Sequence, residues 1–162
     1  MRSNKKIGDV FSVAIDNERK IYFQYIVNDL TQLNSDVIRV FFKRYPNIAS
    51  PDLSEIVSDE VVFFAHCITK LGIKLGYWEK VGNISNVGKL DNVLFRSSGD
   101  VGNLQLKVSQ NWWIWNVNQE QKWVGKLEGG NRTAEIGRVI PPDSIVHRIR
   151  TGIYYFVYPE YE

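Results

Sequence analysis

Cysteine is almost absent from this sequence. Cys67 stands alone, so no internal disulfide can form. Small secreted domains lean on such bridges, and their absence fits a reducing compartment. No run of about 18 apolar residues occurs, the length that a membrane-spanning helix needs. Met1–Val13 carries basic residues but no apolar stretch of secretion-signal length. The expected location is therefore the cytoplasm, with no membrane partner. Histidine is scarce as well: His66 and His147 are the only two, and neither has a cysteine or carboxylate at metal-ligand spacing. An excess of one charge is also missing. Twenty Lys and Arg against eighteen Asp and Glu leave +2, too small a bias to hold nucleic acid by charge alone.

What the sequence does have is aromatic residues, 13% of the 162. Four of the five tryptophans fall in Lys107–Leu127: Trp112, Trp113, Trp115 and Trp123. Tryptophan and β-branched residues favour a pleated, half-buried surface. The polar break Asn116–Gln121 separates two such runs, which reads as a hairpin. Trp112 and Ile114 point to one face of its first arm and Trp113 and Trp115 to the other, as strand alternation requires. Aromatics on both faces mark a central strand, or one whose outer face meets a partner. This hairpin is expected to organise the chain.

The length fits a single domain, residues 1–162, with residues 1–6 as a flexible tail. Val10–Ile15 and Ile21–Val27 read as an antiparallel hairpin across the polar turn Asp16–Lys20. Val37–Arg44 reads as a third strand, which Pro46 ends because proline lacks the N–H that a ladder needs. Ser50-Pro51-Asp52 opens a short helix whose Leu53, Ile56 and Val57 face the sheet. Val61–Ile68 is apolar on both faces, like a buried strand. Leu71–Gly88, with its four glycines, reads as turns around a short piece at Tyr77–Val81. Val93–Arg96 and Ile136–Ile140 read as short strands. Pro141-Pro142-Asp143-Ser144 starts a second helix with Ile145, Val146 and Ile149 as its apolar stripe, Arg148 and Arg150 in its last turn and Gly152 just beyond. Ile153–Tyr158 reads as a final strand. The expected fold class is α+β, predominantly antiparallel β-sheet with two short helices.

Little here carries chemistry. His66 lies in an apolar strand, and adjacent residues of a strand point apart, so His66 and Cys67 cannot form a thiol–imidazole pair. The ordinary reading is one core and one surface histidine. A hydrolase built on His66 or His147 with a carboxylate brought near by folding stays open at this level. Gly82–Leu90 echoes a phosphate-binding loop, but it has one residue too many between its glycines, and Leu90 stands where a Ser or Thr should bind magnesium. No catalytic, metal-binding or cofactor-binding residue is assigned, and no cofactor is expected. An alternative reading is a single-stranded nucleic-acid-binding module, in which these tryptophans stack on bases beside Lys107, Lys122, Lys126, Arg132, Arg138, Arg148 and Arg150.

Ile7-Gly8-Asp9-Val10-Phe11, then Ile21-Tyr22-Phe23-Gln24-Tyr25, Val61–Cys67 and Tyr77-Trp78-Glu79-Lys80-Val81-Gly82 together resemble the bacterial immunity protein 26 family, over most of residues 5–125. The resemblance implies a non-enzymatic protein of a polymorphic toxin system, monomeric or dimeric, whose partner is a cognate toxin that it binds and blocks. It supplies no functional residues. The partner-binding candidates come from the sequence itself: the acidic group Asp52, Glu55, Asp59 and Glu60, and the tryptophans Trp112, Trp113, Trp115 and Trp123. The slightly basic chain departs from the acidic character common in nuclease inhibitors, which turns attention either to a toxin that is not a nuclease or to the local acidic group.

Overall fold

The computed structural model describes residues 4–162. Its first third folds as the alternation predicts: β1 (Asp9–Ala14), β2 (Arg19–Asp29) and β3 (Ser35–Phe41) pair antiparallel in sequence order. The turn between β1 and β2 is held by Asp16, whose carboxylate accepts the backbone N–H of Glu18 and Arg19, both at 2.8 Å. Asp and Asn favour turns through this local bond. β5 (Val61–Cys67) joins β3, and β6 (Glu79–Asn83) joins β1, giving the order β5-β3-β2-β1-β6. Pro46 does not end the third strand as expected. β3 stops at Phe41, and Tyr45–Pro46 form a two-residue strand, β4, against the start of β2. An edge position tolerates the missing N–H. Residues 1–3 of the expected tail lie outside the described residues. Lys5 pairs with the buried carboxylate of Asp36, and the Lys6 N–H donates to Asp9.

This sheet is covered on both faces. On one, Phe11, Phe23, Ile38, Val40 and Phe63 form the largest apolar cluster with Ile145 and Val146. Those last two belong to α3 (Pro142–Thr151), which begins and ends as its sequence predicts. Pro142 sits in its first turn, and Gly152 closes it at φ +90°, donating its N–H to the Arg148 carbonyl at 2.7 Å. On the other face the apolar surface is in two parts. Tyr22 and Phe41 pack under α1 (Leu53–Val57) through Ile56 and Val57. Ile26, Val27 and Val37 pack under a second sheet through Phe95 and Trp115. Between these parts on β2 and β3 stand Gln24 and Arg39.

The second sheet has the order β10-β7-β8-β9, from β7 (Leu94–Ser98), β8 (Trp112–Asn116), β9 (Lys122–Gly125) and β10 (Glu135–Ile136). β8 and β9 are the tryptophan hairpin. It sits in the smaller sheet, so the organising role expected for it belongs instead to the β1–β3 meander and its neighbours.

The whole is mostly antiparallel β-sheet with short helices, the α+β class expected. Besides Pro46, three local readings differ. Ile136–Ile140 is not a continuous strand: only Ile136 falls in β10, and Val139 forms an isolated bridge to His66. Leu71–Gly88 is more than turns: it lies across α2 (Thr69–Lys74), a third short helix, and β6. Gly72 is in that helix because the Trp78 indole lies against it, where a Cβ would fall inside the ring. Ile153–Tyr158 is not a strand. Its side chains do alternate, with Tyr154, Phe156 and Tyr158 turned inward, but its backbone meets no neighbouring strand. Pairing comes only at Glu160, which exchanges backbone bonds of 2.8 Å with Lys107 and Ser109.

The packing of Trp78 on Gly72 predicts that Gly72→Ala destabilises the fold. Overpacking of a filled core costs about 1–3 kcal/mol. The denaturant midpoint should fall accordingly, with a change in near-ultraviolet dichroism as Trp78 moves.

Candidate partner-binding surface

The one histidine that meets a carboxylate does so in the buried seam between the sheets. His66, on β5, and Asp29, at the end of β2, are both fully buried, with Nε2 and Oδ2 2.9 Å apart. The same Oδ2 accepts Trp115 Nε1–H at 2.9 Å, and Oδ1 accepts the Asn118 N–H at 3.0 Å. Burial holds the imidazole below its ordinary pKa, and the opposing pull of Asp29 is the smaller effect. A neutral imidazole that gives its Nε2–H to Asp29 keeps a lone pair on Nδ1, and that atom is buried without a partner. No substrate reaches this pair, so its chemistry is structural: it fixes β8 onto the first sheet. Cys67 points to the opposite face, as alternation requires, and burial pushes its thiol up. His147 lies half-buried on α3 with its ring edge-on to Tyr155 at 4.8 Å. Among the described residues no three His, Cys, Asp or Glu are grouped to hold a metal, and no helix is long and apolar enough to cross a membrane.

The loop that echoed a phosphate site has the opposite polarity. A phosphate loop turns its N–H groups inward. Here the carbonyls of Ile84 and Asn86 turn inward and accept Gln24 Nε2–H at 3.0 and 3.1 Å. The Asn86 carbonyl also accepts from Arg39 Nη2 at 3.0 Å, while Arg39 Nε donates to Gln24 Oε1 at 2.9 Å. The loop is a cradle for a buried cation.

The sequence-derived candidates fall in two places. Asp52, Glu55, Asp59 and Glu60 surround α1 and its exit, and all but the half-buried Asp59 are exposed. Asp59 has structural work, accepting the N–H of Lys43 at 2.6 Å and of Glu60 at 2.7 Å. Glu55 reaches the Tyr45 hydroxyl at 3.4 Å. Burial, with Glu55 and Asp59 nearby, pushes that phenol up to about 12. The tryptophans divide by position. Trp112 and Trp115 are buried on opposite faces of β8, Trp113 is half-buried, and Trp123 on the edge strand β9 is 60% exposed. Trp113 and Trp123 are cross-strand partners. Two of the four thus reach the surface, and they do so side by side. The stacking platform of the nucleic-acid reading is not assembled: Trp112 and Trp115 face inward, while Arg132 is paired with Glu162 and Arg148 with Glu135.

The buried guanidinium of Arg39 and the half-buried one of Arg96 carried no local sequence signal. Each follows from partners distant in the chain. Arg96 lies 5.3 Å from the Trp112 ring and 5.1 Å from that of Tyr161, and Nη1 donates to the Ala134 carbonyl at 2.9 Å. Burial lowers its pKa.

Among known families, the one described as Immunity protein 26 matches residues 6–108. That stretch holds the whole first sheet together with Gln24, Asp29, Arg39 and His66, and it stops before the tryptophan hairpin. No curated protein and no solved structure matches the chain.

The depressed pKa of His66 gives stability a definite pH dependence. The unfolded chain takes up the proton first, near the ordinary value of 6.5. Stability is therefore full above that pH and falls as pH drops below it, by up to about 1.4 kcal/mol per pH unit for one proton. Denaturation at a series of pH values should show this slope, and His66→Gln, which keeps a donor for Asp29, should flatten it.

Proposed function

The chain belongs to the immunity protein 26 family, and from that premise we propose that it is a non-enzymatic immunity protein that binds a cognate toxin of a bacterial polymorphic toxin system and occludes it. The family match is the observation that carries this reading. The burial of His66 and Asp29 agrees with it, because the most enzyme-like pair in the chain is closed to any substrate. An occluding protein needs a rigid surface with a few anchors, and aromatic side chains supply contact area at small entropic cost. The proposed contacts are Asp52, Glu55, Asp59 and Glu60 around α1, and Trp113 and Trp123 on the second sheet, with Trp112 and Trp115 supporting the sheet from within. The partner is a protein, met in the cytoplasm, and the chain acts as monomer or dimer.

Co-expression with the toxin encoded beside it should restore growth to cells that the toxin alone arrests, and the two proteins should elute together from a sizing column. Continued arrest, with separate elution, counts against the reading.

A further inference from the structure

Two cavities lie side by side along the C-terminal segment, residues 153–162, and share Tyr158 and Glu160 in their walls. The first, of about 530 Å3, is apolar, with Val101, Leu104 and Leu106 on one side and Val157 and Pro159 on the other. Leu104 and Val157 are each 82% exposed. Apolar side chains exposed singly are ordinary at a protein surface, but here several stand together around one cavity. The second cavity, of about 370 Å3, is polar, with Arg96, Arg132 and Arg148 in its wall. Arg132 and Arg148 are neutralised by Glu162 and Glu135. Arg96 forms no ion pair among the described residues, and neither do Arg138 and Lys107, which line the apolar cavity. The acids on this face are fewer. Asp100, which accepts the Ser109 hydroxyl at 2.7 Å, and Glu160 are the acids here that form no ion pair among the described residues, against three such cations.

We propose that this double cavity is a docking face for an acidic segment of the toxin, one that places an apolar side chain in the cavity at Leu104 and a carboxylate on Arg96. The charge pattern selects this occupant. A guanidinium held between two rings and already drawn partly out of water gains most from a carboxylate, through a charge-assisted N–H bond. Nη2 of Arg96 is the group for this, since it is not among the buried unpartnered atoms and has no partner of its own. An apolar anchor in a pocket beside a desolvated charge pair is the arrangement found at energetic centres of protein interfaces. Arg138 and Lys107 would speed the encounter with an acidic surface, an effect that salt suppresses. The inference rests on the toxin-binding function proposed above and names the chemistry of the partner's contact.

The test is the affinity of the full chain for an inactivated form of the toxin encoded beside it. Leu104→Asp and Arg138→Glu change exposed side chains and leave the fold in place, whereas Arg96→Gln removes the cation at the centre. Each should weaken binding at least tenfold, the wild-type association rate should fall with added salt, and Ile48→Asp, at a position 96% exposed and away from both cavities, should bind as the wild type does. A tight wild-type complex that Leu104→Asp and Arg138→Glu leave within twofold overturns this face and leaves the immunity function standing. Equal weakening by Ile48→Asp also overturns it. No complex with the wild-type chain overturns both.

Discussion

The carboxylate of Asp29 decides how the two sheets meet. It is fully buried, and a charge in that position is tolerable only when its hydrogen-bonding capacity is met. Trp115 Nε1, His66 Nε2 and the Asn118 N–H meet it, the first and last from the second sheet and its hairpin loop. Removing one partner of a buried charge costs on the order of 3–5 kcal/mol, so the register of β8 against the end of β2 is strongly specified. The apolar contact of Phe95 and Trp115 with Ile26 and Val37 supplies attraction without direction. The carboxylate supplies the direction. Everything that β8 carries outward, including the Trp113–Trp123 pair and the floor beneath Arg96, is placed by it.

Asp29 has two counterparts on the same sheet. Asp9 accepts from the Lys6 N–H and Asn83 Nδ2 and pairs with Lys80 at 2.9 Å, tying the start of the chain to β6. Asp36 accepts the Thr69 N–H at 3.0 Å and the Thr69 hydroxyl at 2.6 Å and pairs with Lys5, tying the first residue of α2. Gln24 and Arg39 do the same for the loop after β6 through its carbonyls. Each of these polar groups adds direction to a segment that also packs through apolar side chains such as Trp115, Ile84 and Ile73. Groups anchored in this way are ordered in advance, which lowers the entropic cost of the contact proposed above.

The parts of this fold legible in the sequence are those whose causes are local. The β1–β2 hairpin follows from alternation and an Asp16 turn. α3 follows from Pro142 and Gly152. The places where reading fails are those whose causes lie elsewhere in the chain. Gly72 signals a turn by itself, and only Trp78 explains why it sits in a helix. Residues 153–158 have the alternation of a strand, but alternation reports one buried side and not a backbone partner. Trp112 and Trp115 were indistinguishable from Trp123 in sequence, because an aromatic strand reads alike in a core and on an edge. The acidic group around α1 was legible as an acidic surface, although the bond from Asp59 to the Lys43 N–H was not. Arg96 carries no signal in the sequence beyond the end of a strand, since its two rings come from residues 112 and 161.

The family match ends at residue 108, inside the loop that forms one wall of the apolar cavity, and the other wall comes from residues 157–160. The matched stretch is not a finished domain by itself. Its largest apolar cluster includes Ile140, Ile145 and Val146, and Asp29 finds two of its donors at Trp115 and Asn118. The later residues therefore complete the core and shape the C-terminal face at once. A shift of the exposed side of the 153–162 segment would reshape that face, whereas repacking α3 would also disturb the sheet it covers. The groups that hold the sheet are thus buried, and those proposed to meet a partner are built over its edge.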